Sequence, residues 1–188
     1  MTTTTNAPVT LADLAGSYVL DPTHTRIGFV ARHAMVTKVR GSFNEFEGTA
    51  VVGSTLDASS ATLTIQAGSI DTRNEQRDGH LRSNDFLAME EFPQITFVST
   101  AVEATGPTSL ELTGDLTIKG VTNSVTVPFE FEGAATDPFG NLRVGFEGAV
   151  TINRKDYGIT WNAALETGGV LVSDKVTLEF DVSAIKTA

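Results

Sequence analysis

The sequence predicts an all-β protein, an eight-stranded antiparallel barrel with one short helical insertion. Three observations carry this. Apolar and polar residues alternate with period two over long runs, a single polar and charge-rich segment interrupts the alternation, and turn-forming residues separate the runs. Successive side chains of a strand point to opposite faces, so each run has one apolar and one polar face.

The clearest runs lie in the second half of the chain. Leu110, Leu112, Gly114, Leu116 and Ile118 alternate with Glu111, Thr113, Asp115 and Thr117. Val125, Val127, Phe129 and Phe131 alternate with Thr126, Pro128, Glu130 and Glu132, and Val176, Leu178, Phe180 and Val182 alternate with Lys175, Thr177, Glu179 and Asp181. Ile27–His33, Phe43–Val52, Leu63–Ile70, Ile95–Val102 and Arg143–Asn153 complete a set of about eight strands. Lys119-Gly120 and Asp137-Pro138-Phe139-Gly140-Asn141 mark tight reversals.

Thr72–Glu91 is the exception. It is polar and poor in β-branched residues, which suits one or two short helices, the second capped by Ser83 or Asn84. The Thr-rich N-terminus reads as a disordered tail over residues 1–13, leaving 14–188 as one domain. Strands apolar on one face must close or stack to bury it. A sandwich is the competing solution, but runs of about ten residues favour strands that tilt around one cavity, and closure removes exposed edges.

Composition excludes several function classes. A net charge of −10 argues against nucleic acid as partner and against adsorption to an anionic membrane through a polybasic face. Without cysteine there is no thiolate metal site and no cysteine nucleophile. No apolar run approaches the roughly 18 residues a transmembrane helix needs. The N-terminus has neither a basic n-region nor an apolar h-region, which predicts a cytoplasmic protein unless a leader has been removed. His24, His33 and His80 have no helical i,i+4 spacing, so no metal site is expected. The G-x-S-x-G and G-x-G-x-x-G motifs are absent, so neither a hydrolase elbow nor a phosphate loop is indicated, and no cofactor is expected.

Six segments, in order, carry a resemblance. They are Tyr18-Val19-Leu20-Asp21-Pro22-Thr23-His24-Thr25 with Ile27-Gly28-Phe29 and Arg32-His33; Lys38-Val39-Arg40-Gly41-Ser42-Phe43 with Phe46 and Gly48; and Ser69-Ile70-Asp71-Thr72 with Arg77-Asp78-Gly79-His80-Leu81 and Asp85-Phe86. The others are Phe92-Pro93-Gln94-Ile95-Thr96-Phe97, Gly114-Asp115-Leu116-Thr117-Ile118-Lys119-Gly120-Val121-Thr122, and Gly145-Phe146 leading to Ile152-Asn153-Arg154-Lys155-Asp156-Tyr157-Gly158. Together they resemble the YceI-like family, a lipocalin-like group of bacterial polyisoprenoid-binding proteins. The resemblance implies an elongated eight-stranded antiparallel barrel with a helical insertion, a prenyl or similar acyl chain in its bore, and no catalytic residue. Many members carry an export signal, which this N-terminus does not show.

The residues themselves suit that reading. Eleven Phe stand against two Tyr and one Trp, and Phe has no polar handle, so it fits a wall that accepts an apolar guest. The alternation assigns Ile27, Phe29, His33, Phe43, Phe46, Ile65, Phe97, Leu112, Leu116, Phe129, Phe131, Phe146 and Ile152 inward. These side chains either fill the barrel or line a cavity. Gly48, Ala50, Ala67 and Gly114 favour the cavity by removing wall volume. His33 continues the series Ile27, Phe29, Ala31, as a hydrogen-bonded core residue or as a ligand contact. Arg73, Arg77, His80 and Arg154 are candidates for an anionic head group, the alternative being surface charge paired with Glu75, Asp78 and Asp85.

The expected function is binding, storage or transport of a long-chain polyisoprenoid of quinone or prenyl phosphate type. A fatty acid or fatty amide is the alternative guest, and a stress-response barrel acting through its surface is the alternative class. An enzyme acting on prenyl substrates ranks below both. Self-association as a homodimer is left open.

Overall fold

A computed structural model describes residues 9–188. Its strands are β1 (Gly16–Leu20), β2 (Arg26–His33), β3 (Thr37–Phe43), β4 (Phe46–Val52), β5 (Ser60–Gln66), β6 (Ile70–Asp71), β7 (Gln94–Ala104), β8 (Ser109–Ile118), β9 (Val121–Thr136), β10 (Leu142–Asn153) and β11 (Lys175–Lys186). All pair antiparallel, and β11 closes the sheet by pairing with β10 on one side and with β1 and β2 on the other. The sequence-derived strands Phe43–Val52 and Leu63–Ile70 are each broken in two. β1 and β2 share one position in the wall, β3 and β4 the next, and β5 and β6 a third. With β7 to β11 these make a closed eight-position barrel, as the alternation predicts.

The breaks have local causes. Asp21-Pro22-Thr23-His24-Thr25 bulges out between β1 and β2, where Pro22 has no N–H to give to the ladder. Thr25 repairs the gap: its hydroxyl donates to the Ser183 carbonyl (3.0 Å) and accepts from the Ser183 N–H (3.0 Å). At the β8–β9 reversal Lys119 and Gly120 both have positive φ (51° and 75°), the geometry that suits the twist of a two-residue hairpin. A side chain on Gly120 would also collide with the Phe92 ring.

One helix forms in the polar segment, α1 (Glu75–Arg82). Its N-cap is Asn74, whose side chain accepts from the Arg77 N–H at 2.9 Å. The second expected helix does not form. Ser83 ends α1 as its C-cap, and Ala88, at φ 47°, turns the chain back so that its N–H reaches the Ser83 carbonyl at 2.9 Å. The end of the tail expected over residues 1–13 is ordered. Residues 1–8 lie outside the described residues, but Leu11–Asp13 form a 3-10 turn, with Leu11 buried and its N–H on the Pro107 carbonyl at 3.1 Å. Burial of Leu11 and Leu14 ties this segment down.

Two apolar clusters fill opposite ends of the barrel. Leu11, Leu14, Tyr18, Val102, Leu110, Phe131 and Val144 pack beside the N-terminal turn and the β7–β8 and β9–β10 hairpins. Ile27, Phe29, Phe43, Ile65, Phe86, Leu116, Tyr157 and Ile159 pack beneath α1 and beneath the strap, residues 158–174, which joins β10 to β11.

Candidate binding cavity

Between the clusters lies an interior cavity of about 340 Å³. Nearly all of its wall is apolar; the polar residues that border it are Tyr18, Thr49, Ser59, Ser60, Thr62, Thr96, Arg154 and Tyr157, of which Thr49 and Thr62 bond their hydroxyls to each other on the exposed side. Ile27, Phe29, Phe43, Ile65, Phe97, Leu112, Leu116, Phe129, Phe146 and Ile152 line it as the alternation assigns them. Phe46 and Phe131 do not reach it. Phe46 packs against the strap-end cluster, and Phe131 is buried at the opposite end against Phe146, with ring centroids 5.3 Å apart.

His33 is not a wall residue. β2 runs past the rim there, so the next inward position after Ala31 is in solvent, and His33 is exposed. Its backbone instead forms a bridge to Val172 of the strap.

Glycines act differently from the expectation. A Cβ at Gly41 would overlap the Phe29 ring, one at Gly114 the Phe97 ring, and one at Gly148 would lie 2.6 Å from the Phe129 ring. Each of these rings therefore lies on a neighbouring strand at a glycine, and the space is taken by the ring rather than left as wall volume. Gly48 is likewise covered by Leu20, and Ala67 is buried outside the cavity lining. Of the four small residues singled out from sequence, Ala50 lines the bore. A ring seated on a glycine stays against the wall and leaves the axis clear.

The head-group candidates separate. Arg73 is exposed, at φ 66°. Arg77 is committed to Thr72, donating from Nε to Oγ1 and from a terminal nitrogen to the carbonyl, both at 2.7 Å. Asp78 is buried and takes the Thr72 N–H at 2.9 Å and its hydroxyl, so this cluster braces the start of the helical connection. His80 pairs with Asp85 at 2.9 Å and stands edge-on to Phe86 and Trp161, at centroid separations of 5.0 and 4.6 Å. None of Arg73, Arg77 and His80 lines the cavity.

Arg154 does. It is 4% exposed, and its guanidinium donates to the carbonyls of Ser173 (2.8 Å), Ile159 (2.9 Å), Trp161 (2.9 Å) and Val172 (3.4 Å). Burial pulls its pKa down and Asp174, at 3.8 Å, pulls it back up. One cation thus pins both arms of the strap across the barrel end. Beside it Tyr157, only 2% exposed, lines the cavity, and its hydroxyl is the one buried side-chain polar atom without a partner among the described residues. Burial pushes the Tyr157 pKa up, against the nearby Asn123 side chain, which does not reach hydrogen-bond geometry but pulls it down, so the group is a neutral phenol. Tyr157 stands in the Asn153–Gly158 segment quoted above, but nothing in its spacing marks it as a cavity residue. The strap residues Ile159 and Val172, and Val176, Leu178 and Phe180 of β11, also line the bore without having been assigned to it.

At the other end the polar groups are satisfied. The Tyr18 hydroxyl donates to the Leu14 carbonyl at 2.8 Å. Outside the wall Arg143 donates to Asp21 (2.6 Å) and to Asp137 (2.8 Å). Asp21 also accepts from the Thr23 hydroxyl and pairs with His24, and these bonds, Thr23 first and Arg143 next, hold its carboxyl far below the usual carboxylate range. The Asn141 N–H and Arg143 lower Asp137 to about 2. Among the described residues no group of three His, Cys, Asp or Glu side chains is placed to hold a metal ion.

Comparison with known proteins agrees with this architecture. The model of the YceI-like domain matches residues 18–184. A UPF0312 protein of Staphylococcus aureus (strain MSSA476) is 44% identical over 166 residues, covering 87% of this chain and 94% of that protein. The crystal structure of BcnA from Burkholderia cenocepacia superposes with a TM-score of 0.77 at 25% identity, over 87% of this chain and 98% of that one. A polyisoprenoid binding domain from Saccharophagus degradans, described as implicated in plant cell wall breakdown, shares the fold. Its TM-score is 0.70 at 16% identity, over 90% of this chain and 98% of that one.

Proposed function

Since the chain belongs to the YceI-like family, and its barrel encloses an apolar cavity, we propose that it binds a long-chain polyisoprenoid in the bore and stores or carries it without transforming it. The cavity of about 340 Å³ is the observation that carries this reading. An engineered apolar void less than half that size stays dry and takes up benzene. Each methylene buried in such a wall gains about 0.8 kcal/mol before ordering costs, so a chain of several prenyl units binds without a strong polar anchor. The polyisoprenoid binding domain of the same fold supports this choice of guest.

The polar end of the guest belongs beside Tyr157. An unpaired buried hydroxyl costs on the order of 1–3 kcal/mol, which a carbonyl or hydroxyl of the guest would recover. Arg154 adds a positive potential there, while Arg77 and His80 serve as braces. Organic extraction of the purified protein followed by mass analysis tests the reading. A long apolar molecule in stoichiometric amount is expected. A fatty acid or amide would replace the proposed guest, and an empty barrel that takes up no prenyl alcohol would refute lipid binding.

A further inference from the structure

The strap end of the barrel carries an outward feature that cavity binding leaves unused. The β2–β3 reversal, Ala34-Met35-Val36, projects Met35 (53% exposed) and Val36 (74%) into solvent. Ala34 and Met35 hold positive φ (50° and 62°), a conformation that hairpins normally give to Asn or Gly, so the apolar tip is seated at a cost. Val170 of the strap is also exposed, and a Cβ on its neighbour Gly169 would lie 3.8 Å from the Met35 side chain, so the apolar patch spans both elements.

Just behind the tip, Arg32 and Lys38 face each other directly across the two strands. Like charges so placed repel, and among the described residues neither has a carboxylate within 4 Å. Arg26 and Arg40 stand further along the same strands, sharing Glu179 at 3.5 and 3.8 Å. From Pro22 to Phe43 the chain has these four cations and no acidic residue. The opposite end has the reverse pattern, with Glu103 and Glu111 facing each other across β7 and β8, and Glu130 nearby on β9.

We propose that this end docks on an anionic lipid bilayer, with Met35, Val36 and Val170 in the interface and Arg32 and Lys38 against the phosphates. Of the acidic residues behind the net charge of −10, Glu166 and Asp174 of the strap stand at this end, Asp174 being paired with Arg154 and Lys155, and the carboxylates of the opposite end lie out of reach. The 12 residues of β10 span roughly 40 Å at about 3.3 Å each, several times the ~8 Å over which salt screens charge. The far-end carboxylates therefore do not repel the surface and instead orient the barrel. The docked tip is tied to the strap that covers the cavity: the Ala34 N–H donates to the Leu171 carbonyl at 2.7 Å, His33 bridges Val172, and Val172 lines the bore. The use of the contact, exchange of a lipid between bilayer and bore, rests on the binding reading above; the contact itself does not.

Flotation with vesicles tests it. The protein should float with mixed phosphatidylcholine and phosphatidylglycerol vesicles, weakly with phosphatidylcholine alone, and less as salt rises. Lys38→Glu should weaken binding roughly tenfold or more, yet leave Tm unchanged or higher, because the new carboxylate faces Arg32. Met35→Ser with Val36→Ser should also release the protein. Failure of the parent to float with the anionic vesicles, equal flotation on phosphatidylcholine alone, or flotation of both variants like the parent would overturn the proposal. A fluorescent prenyl alcohol added from solution separates the two readings. Parent and Lys38→Glu should take it up equally, and failure of the parent to do so counts against the binding reading, while flotation alone decides the docking.

Discussion

The two ends of this barrel are closed by different chemistry. The N-terminal end is an apolar plug, Leu11, Leu14 and Tyr18, with its hydroxyl bonded and its outer charges locked among Asp21, Arg143 and Asp137. The strap end is held by one buried guanidinium on backbone carbonyls, with an edge-on ring cluster of His80, Phe86 and Trp161 and a buried, unpaired phenol on a residue of the cavity wall. A plug whose polar groups are all paired offers a guest nothing but packing. An end that leaves a buried hydroxyl unpaired and is covered by a connection held through one guanidinium is the end suited to a polar head.

Removing Arg154 should produce the largest effect. Arg154→Met strands several buried carbonyls at once and should cost roughly 3 kcal/mol or more. Urea denaturation reads the loss, and Arg154→Lys should recover little of it, since an ammonium cannot reproduce the fork. A mild effect would mean that packing, not the guanidinium, holds the strap.

The plug should respond through volume alone. Leu14 is 3% exposed, so Leu14→Ala should destabilise by about 2–4 kcal/mol while leaving the affinity for a prenyl alcohol nearly unchanged. A large loss of affinity in a variant that remains folded would show that the guest reaches this end too.

Tyr157→Phe sharpens the contrast. It removes an unpaired buried hydroxyl, so stability without ligand should hold or rise by up to about 1 kcal/mol. Affinity for a prenyl ligand with a carbonyl or hydroxyl head should fall roughly fivefold, and that for a pure hydrocarbon should not. Equal changes for the two ligands would place the polar head elsewhere.

The smallest expected effect is on acid stability. Asp21 and Asp137 have folded pKa values below their unfolded values near 4, so their contribution is complete above pH ~4 and is lost as pH falls toward 2 and below. Arg143→Met removes one of the bonds that depress both carboxyls, so stability near neutral pH should fall modestly and the loss between pH ~4 and 2 should become shallower, parent and variant converging at lower pH. Identical acid limbs in parent and variant would show that the Thr23 and Asn141 bonds suffice.

The alternation determined a great deal by itself. Period two says which face of each strand an apolar side chain occupies, and ten of the thirteen assigned wall residues line the cavity on that basis. The single polar interruption located the helix, and Lys119-Gly120 located a hairpin, because local conformational limits suffice for both. Alternation carries no information on how far along the barrel axis a residue lies. His33 therefore passes the rim while keeping the inward phase, and Phe46 and Phe131 fall beyond the cavity. Seating Phe29 on Gly41 and Phe129 on Gly148 depends on cross-strand register, which the sequence of one strand does not encode. The site's polar end was decided by tertiary structure alone. Arg77 and His80 were grouped by nearness in sequence but bond to Thr72 and Asp85, whereas Arg154 meets carbonyls up to 19 positions away and the Tyr157 hydroxyl, near the Asn123 side chain, completes no hydrogen bond. Whether a buried polar group is satisfied depends on which backbone the fold brings to it, and that is set only when the barrel closes.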